Sequence, residues 1–262
     1  MGTRSVTKDL FLEERRQEIL RRVNELGRVS VGELSQQFNV SEVTIRADLQ
    51  ALADSNLVVR THGGAVTASR ALPDISLSSR LKQQVHEKDR IGEAGAAMVA
   101  DGDAIFLDSS STALAIARQL KDHRHVTIIS NSLAVAQEML DAPGVTVVMP
   151  GGTLRRETAS LIRAESLDAL RRFNIEKGFF GAHGLSVPEG LTDVSIDEAE
   201  IKQPLVDMCR RVIAIVDATK WGRVGLASFA RLDQIDCVIT DSHAPLEWVE
   251  QARARGIEVL LV

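Results

Sequence analysis

The chain has 262 residues, a formal net charge of −5, no Tyr and two Cys. That length holds two domains or one large one, and no apolar run approaches the roughly 18 residues of a membrane span. No charged-then-apolar leader opens it, so a cytoplasmic protein without membrane contact is expected, with the isolated Cys209 and Cys237 as small buried hydrophobes in a reducing compartment.

Residues 1–10 read as loose. A first helix is expected from about Leu12 to Leu26, with Ile19, Leu20, Val23 and Leu26 inward and Gly27 as its stop. Arg15, Arg16, Arg21 and Arg22 lie on its other faces and read, for the most part, as a solvated surface. Val29–Val31 forms a short strand able to pair with a later hairpin. Ser30 and Glu33 make a capping box, opening a short helix with Leu34 and Phe38 inward. Asn39 and Val40 then make a tight connection into a second helix that Ser41 caps. In that helix Ile45, Leu49 and Leu52 share one face, whereas Val43, Ala47 and Gln50 lie opposite, flanked by Thr44 and Arg46. The outward face is short-chained and uncharged at its centre, the surface a helix needs to lie against base edges. Helix, tight turn, helix is the helix-turn-helix arrangement with the second helix as reader. Asn56 can end that helix in the left-handed conformation. Leu57–Thr61 is β-branched, and His62-Gly63-Gly64 is a turn, as in a wing. DNA contacts are therefore expected from Ser30, Ser41, Glu42, Val43, Thr44, Arg46, Ala47 and Gln50, with Arg60, His62 and Gly63 of the wing on the backbone or minor groove. The alternative is a winged-helix interaction module that binds no DNA.

Residues 1–66 hold nine Lys/Arg and nine Asp/Glu, against 22 and 27 in the remainder. A near-neutral module attracts phosphate weakly at long range, so two or more copies on DNA, hence a homo-oligomer (dimer or tetramer), are expected. Residues 67–78, polar and containing Pro73, read as a linker. A helical pattern runs from Ser79 to Ala100. Apolar strands at Ala104–Asp108, Val126–Ser130, Val145–Met149, Lys177–Ala182, Val212–Asp217, Cys237–Thr240 and Ile257–Leu261 then alternate with helices at 112–120, 133–140, 164–172, 196–210 and 245–254. This predicts an α/β fold: a small N-terminal winged helix-turn-helix domain (1–66), then a mainly parallel, doubly wound α/β domain (79–262).

In such sheets ligands bind beyond the carboxyl ends of the strands, where polar and small residues cluster here. Asp108-Ser109-Ser110-Ser111-Thr112 opens a helix whose free N–H groups, dipole and hydroxyls suit a phosphate. Ser130-Asn131-Ser132, Gly151-Gly152-Thr153, Gly181-Ala182-His183-Gly184 and Asp217-Ala218-Thr219-Lys220 end the next four strands. Together they fit a hydroxyl-rich, phosphorylated ligand better than turns alone. Glu198 and Lys202, four apart on a helix, have the spacing of a surface ion pair worth little, although near a pocket Lys202 would hold an anion. Lys220 has the same ambiguity, and its place after a strand-end Asp favours the ligand. The effector residues expected are thus Asp108, Ser109, Ser110, Ser111, Thr112, Asn131, Ser132, Gly151, Gly152, Gly181, His183, Lys202, Asp217 and Lys220, with no metal or cofactor.

Residues 15–66 resemble the DNA-binding domain of the DeoR family of bacterial transcriptional regulators. The resemblance is carried by Arg16, Ile19-Leu20, Glu33-Leu34, Phe38-Asn39-Val40-Ser41, Thr44-Ile45-Arg46, Asp48-Leu49, Leu52 and Arg60-Thr61-His62-Gly63-Gly64-Ala65. Beyond residue 79 the chain resembles the same family's sensor domain, at Arg80, Lys88, Ile91, Asp108, Thr112, Asn131-Ser132-Leu133, Gly151-Gly152, Gly181, Gly184, Gly190-Leu191-Thr192, Glu198-Ala199, Lys202, Asp217 and Lys220. There are two departures: Ala47 stands where the family usually has a second consecutive Arg, and Ser110 where it often has Gly. The resemblance implies a sensor fold similar to sugar-phosphate isomerases and a phosphorylated-sugar effector, hence a transcriptional regulator, a repressor of carbohydrate metabolism, whose hold on operator DNA falls when the sugar phosphate binds. The alternative is a sugar-phosphate isomerase with an appended DNA-binding domain, which would need a base beside the substrate carbon from among Asp108, Asp193, Glu198, Asp217 and His183.

Overall fold

A computed structural model describes residues 12, 14–23, 28–54, 57–61, 63–67, 76–163 and 167–262. The expectations for Leu26, Gly27, Asn56, His62 and the linker around Pro73 lie outside the described residues. The chain forms two compact units, Met1–Asp74 and Ile75–Val262.

In the first unit helical residues 14–23 (α1) precede β1 (Arg28–Ser30), α2 (Val31–Phe38) and α3 (Glu42–Asp54). Strands β2 (Val58–Thr61) and β3 (Gly64–Thr67) follow, and the sheet order is β1-β3-β2, antiparallel throughout. The local signals act as their chemistry requires. Ser30 accepts from the Glu33 amide while Glu33 accepts from the Ser30 amide, so α2 begins at Val31, which the sequence placed in the strand. Asn39 ends α2 with φ 50°, a conformation Asn tolerates better than most residues. The Ser41 hydroxyl accepts from the Thr44 amide at 3.2 Å and caps α3. Gly64 opens β3 because a Cβ there would fall 1.9 Å from the Val29 carbonyl oxygen. Ile19, Val23, Leu34, Ile45, Leu49, Leu52 and Val58 meet in one core, each contributing about 1.5–3 kcal/mol on burial.

Arg15 and Arg16 depart from the expected solvated face. Their Nε atoms donate to Asp48 Oδ2 and Oδ1 at 2.6 and 3.0 Å, and the Asp48 side chain is 1% exposed. One buried carboxylate on α3 thereby clamps α1 through both its oxygens. Arg21 and Arg22 remain near the surface, paired with Glu18.

The second unit opens with α4 (Leu77–Arg80) and α5 (Val85–Ala96). The single helical run expected from Ser79 is instead broken at Gln84, where φ is 47°. A seven-stranded, wholly parallel sheet follows, built from β4 (Ala104–Leu107), β5 (Val126–Ser130), β6 (Val145–Val148), β9 (Ile175–Phe180), β12 (Cys209–Ile215), β14 (Cys237–Thr240) and β15 (Glu258–Leu261). Its order is β15-β14-β12-β9-β4-β5-β6. Alternate residues feed two cores. Ile105, Leu107, Phe179, Ile213 and Ile239 pack with α5, α6 (Ser111–Gln119) and α7 (Leu133–Glu138). Phe106, Phe180, Ala214 and Val238 pack on the other face with α9 (Ile196–Met208) and α10 (Leu246–Arg253). The expected helix at 164–172 is one turn, α8 (Leu167–Leu170), among the described residues.

Five short strands were not anticipated: the hairpin β7 (Thr153–Arg155) and β8 (Ser160–Ile162), and the antiparallel trio β10 (Gly184–Ser186), β11 (Gly190–Asp193) and β13 (Ala227–Ala230). Each set follows a carboxyl end of the main sheet in the chain. The chain winds from β4 out to β6, then returns to β9 on the other side of β4. The β4/β9 border is therefore the topological switch point, where the following loops diverge and leave a crevice.

Candidate functional site

At that switch point the loops are stitched together by charge. Asp108, directly after β4, is fully buried; its Oδ1 accepts from the Ser110 amide at 3.0 Å and its Oδ2 from the Gly181 amide at 2.9 Å. Gly181 must lack a Cβ, since one would lie 2.4 Å from Ser110 Cβ and 2.5 Å from its Oγ. Ser110, the departure from the family pattern, caps α6 by accepting from the Ala113 amide at 3.0 Å. It therefore presses on Gly181 and supports the helix at once.

Lys202 reaches this border from α9. Its Nζ sits 2.9 Å from each of Asp108 Oδ2, Asp193 Oδ2 and the Gly181 carbonyl oxygen, and 4.9 Å from the Phe229 ring centre. Three acceptors satisfy three ammonium donors. The surface-pair reading of Glu198 and Lys202 fails because both are buried and each turns to other partners. Glu198 accepts from Ser109 Oγ at 3.1 Å and from Ser160 Oγ at 2.6 Å, and Ser160 in turn accepts from Thr158. Burial disfavours the charged Lys202, yet Asp108, Asp193 and Glu198 outweigh it and hold its pKa above the usual lysine range. Burial likewise pushes Asp193 upward, but Lys202 and the Val194 amide bring it below the ordinary carboxylate range.

The other expected strand-end groups divide. Ser130 Oγ donates to the Leu107 carbonyl, Ser132 caps α7, and Asn131 Nδ2 donates to the Leu161 carbonyl while its buried Oδ1 has no partner among the described residues. Ser111 and Thr112, each 5% exposed on the first turn of α6, have side-chain hydroxyls without a hydrogen-bond partner among the described residues. Asp217 is turned inward to cap Ala218–Lys220, accepting from the Thr219 amide and hydroxyl. His183 lies half-buried, its amide bound to the Thr192 carbonyl. Gly151 and Gly152 stand apart, exposed with φ 72° and 118°, and join no hydrogen bond of this cluster. Asp193, Glu198, Thr158 and Ser160 belong to the cluster although none is among the effector residues expected from the sequence; three of them sit on or beside the unanticipated short strands. Burial pushes the Cys209 and Cys237 thiols up to about 12 and about 11, far from the thiolate form.

The reader helix is arranged oppositely. Ser41, Glu42, Val43, Arg46, Ala47 and Gln50 of this face are all exposed, Val43 by 75%, and Thr44 is half-buried. Arg46 pairs with Glu42 at 3.0 Å. Arg60 of the wing donates to the Arg46 carbonyl and to Gln50 Oε1, both at 3.2 Å, while Gln50 Nε2 donates to Asp54. The wing thus sets which way the Gln50 amide faces.

Residues 15–71 match the DeoR-like helix-turn-helix domain and residues 83–242 the DeoR C terminal sensor domain. The chain belongs to the DeoR family. It is 31% identical to a putative aga operon transcriptional repressor of Escherichia coli O157:H7, over 95% of this chain and 93% of that one. It is 32% identical to the glycerol-3-phosphate regulon repressor of Escherichia coli K12, over 95% and 98%. Among solved structures, a ribose-5-phosphate isomerase in complex with phospho-erythronic acid aligns with a TM-score of 0.39 at 14% identity, over 51% of this chain and 52% of that one. As a DeoR-family member the chain is a DNA-binding transcriptional regulator and not an enzyme. The carboxylates that an isomerase would need are engaged otherwise: Asp108 and Asp193 by Lys202, Glu198 by two hydroxyls, Asp217 by its own turn.

Proposed function

We propose that this DeoR-family chain represses a carbohydrate-metabolism operon in the cytoplasm and leaves its operator when a phosphorylated sugar enters the crevice beyond β4 and β9. The observation that carries this reading is the polar shell at the switch point. Ser109 to Thr112, Asn131, Glu198 and Lys202 are all buried there, and the buried Asn131 Oδ1 has no partner among the described residues. Buried polar groups are ordinarily satisfied, and hydroxyls at a helix N-terminus are suited to phosphate oxygens. Lys202 supports the site by holding Asp108 and Gly181 in place. The reader face and the wing supply the DNA contacts. Because residues 1–66 carry no net charge, operator binding relies on a homo-oligomer held by the sensor unit. Sedimentation at micromolar concentration should give a dimer or larger. No helix among the described residues is long and apolar enough to cross a membrane.

Ser111→Asp tests the site. The added carboxylate should repel the phosphate, so the variant should bind operator DNA normally yet lose both thermal stabilisation by the sugar phosphate and release from DNA. If the loop only caps a helix, an acid in the first turn is harmless, and a variant that still responds removes the site assignment.

A further inference from the structure

Arg60 sits in β2, the first strand of the wing, opposite Ala65 of β3. That strand is fastened to the reader helix: the Leu57 amide donates to the Leu52 carbonyl, and Val58 shares a core with Ile45, Leu49 and Leu52. Arg60 is half-buried, and its Nη1 donates to the Arg46 carbonyl and to Gln50 Oε1, both at 3.2 Å. Its Nε is sealed from solvent, so the guanidinium is packed in place beside α3.

These contacts fix the polarity of the Gln50 amide. An arginine has only donors, so the amide atom that meets it is the oxygen. An ionised aspartate has only acceptors, so the atom that meets Asp54, at 2.8 Å, is the nitrogen. A glutamine amide otherwise swings through a broad, roughly two-fold torsion and presents donor and acceptor in either order. Each end keeps capacity, one lone pair on Oε1 and one hydrogen on Nε2. Asp54 is exposed and its bond from four residues back is weak, so the second hydrogen is released cheaply as well. Gln50 is itself exposed, and one turn before it stands the exposed Ala47, whose methyl group does not screen the amide.

We infer that Gln50 recognises an adenine in the major groove and that Arg60 is its positioning residue. Adenine presents the N7 acceptor beside the N6 amino donor, the major-groove edge that answers an acceptor and a donor held side by side. Guanine offers two acceptors, cytosine one donor and thymine one acceptor, so each leaves part of the amide unpaired. Arg60 makes no base contact in this arrangement. It holds the amide in one orientation, so less side-chain freedom is lost when the base arrives. This rests on the assignment of DNA contacts to the reader face above, and gives that face a residue and a base.

The test selects duplexes from a random library with the full-length protein, then titrates them in gel shifts. The selected duplexes should share an A·T pair at a position where Gln50→Ala accepts every base pair while keeping the wild-type preferences elsewhere. A deaza-adenine there, with carbon in place of N7, should weaken wild type by about tenfold or more and leave Gln50→Ala unaffected. Arg60→Met keeps the apolar stem but removes the donors. It should cut adenine discrimination at that position by about threefold, with no further loss in the Gln50→Ala background. Discrimination is a ratio of affinities of one variant, so a loss of folded protein cancels from it. Should Arg60→Met not fold at all, Arg60→Lys takes its place with the same expected loss, since its ammonium stops one bond short of Nη1. A lower salt slope with unchanged base preferences would make Arg60 a phosphate contact and overturn its positioning role. Another base at the Gln50-dependent position, or a deaza-adenine that wild type tolerates, overturns the adenine assignment. If Gln50→Ala alters no preference while Arg46→Ala still weakens binding, Gln50 reads no base and the reader face stands; if neither variant matters, both fall.

Discussion

The reader helix and the strand-end cluster both concentrate polar residues, but they treat water in opposite ways. On α3 the polar face is exposed and its side chains pair loosely along one helix, Arg46 with Glu42 and Gln50 with Asp54. Such pairs contribute a few tenths of a kcal/mol, so a partner can displace them cheaply. At the β4/β9 border the polar side chains are buried and join loops from distant parts of the chain. The exposed face suits a large partner with its own surface of donors and acceptors, whereas the enclosed one suits a small ligand. Each unit also contains a buried charge that locks its elements, Asp48 between two Arg in the first and Lys202 between two Asp in the second. These locks differ in the same respect: the Arg partners of Asp48 are 16% and 26% exposed, whereas Lys202 and its partners are 14% exposed at most.

The largest expected effect tests that contrast directly. Lys202→Met leaves Asp108 and Asp193 without their cation and should cost about 3–5 kcal/mol, the usual penalty for an uncompensated buried charge, read as a lower melting temperature. Low pH attacks the same lock. The Asp193 pKa is lowered in the folded chain, so its contribution is present above the ordinary carboxylate range and is lost as pH falls through the folded value. The cost of Lys202→Met should therefore shrink in acid; a cost that stays constant down to pH 2 would place the lock elsewhere.

Asp48→Asn should be milder, about 1–3 kcal/mol, because Arg15 and Arg16 can turn their guanidinium groups to water. Its second signature is weaker operator binding, since α1 no longer holds α3 in place. Equal losses for Asp48→Asn and Lys202→Met in chemical denaturation would mean that the two locks are equally closed to water.

The smallest effects belong to the exposed face, which should be thermally silent. Arg46→Ala should leave stability within about 0.5 kcal/mol yet weaken operator binding by more than about tenfold, and a lost phosphate contact would lower the salt slope by about one. Ala47→Arg should either tighten binding to every sequence, as a phosphate contact would, or change the preferred base at one position, as a groove contact would. Gel-shift titrations at several salt concentrations separate these outcomes, and a variant with neither effect shows that position 47 faces away from DNA.

What the sequence determined alone were features whose causes lie within one or two turns of chain. The capping box at Ser30 and Glu33, the Ser41 cap, the Ile45/Leu49/Leu52 stripe and the apolar strands were legible because hydrogen bonding and periodicity act between near neighbours. Ranges such as Val126–Ser130 and Cys237–Thr240 emerged unchanged for that reason. The five short strands escaped because three or four residues are too few to show a period. The identities of many strand-end residues were legible too, but not their partners. Only the tertiary structure decided that Asp108 binds the Gly181 amide 73 residues away, that Lys202 pairs directly with two aspartates while Glu198 accepts from two hydroxyls, that Arg15 and Arg16 close on Asp48, and that Arg80 lies beside the Ser109 carbonyl. Spacing along a helix says which side chains share a face. Which charge a buried group meets depends on the order in which the sheet stacks its strands, and on the free energy of leaving that group unpaired.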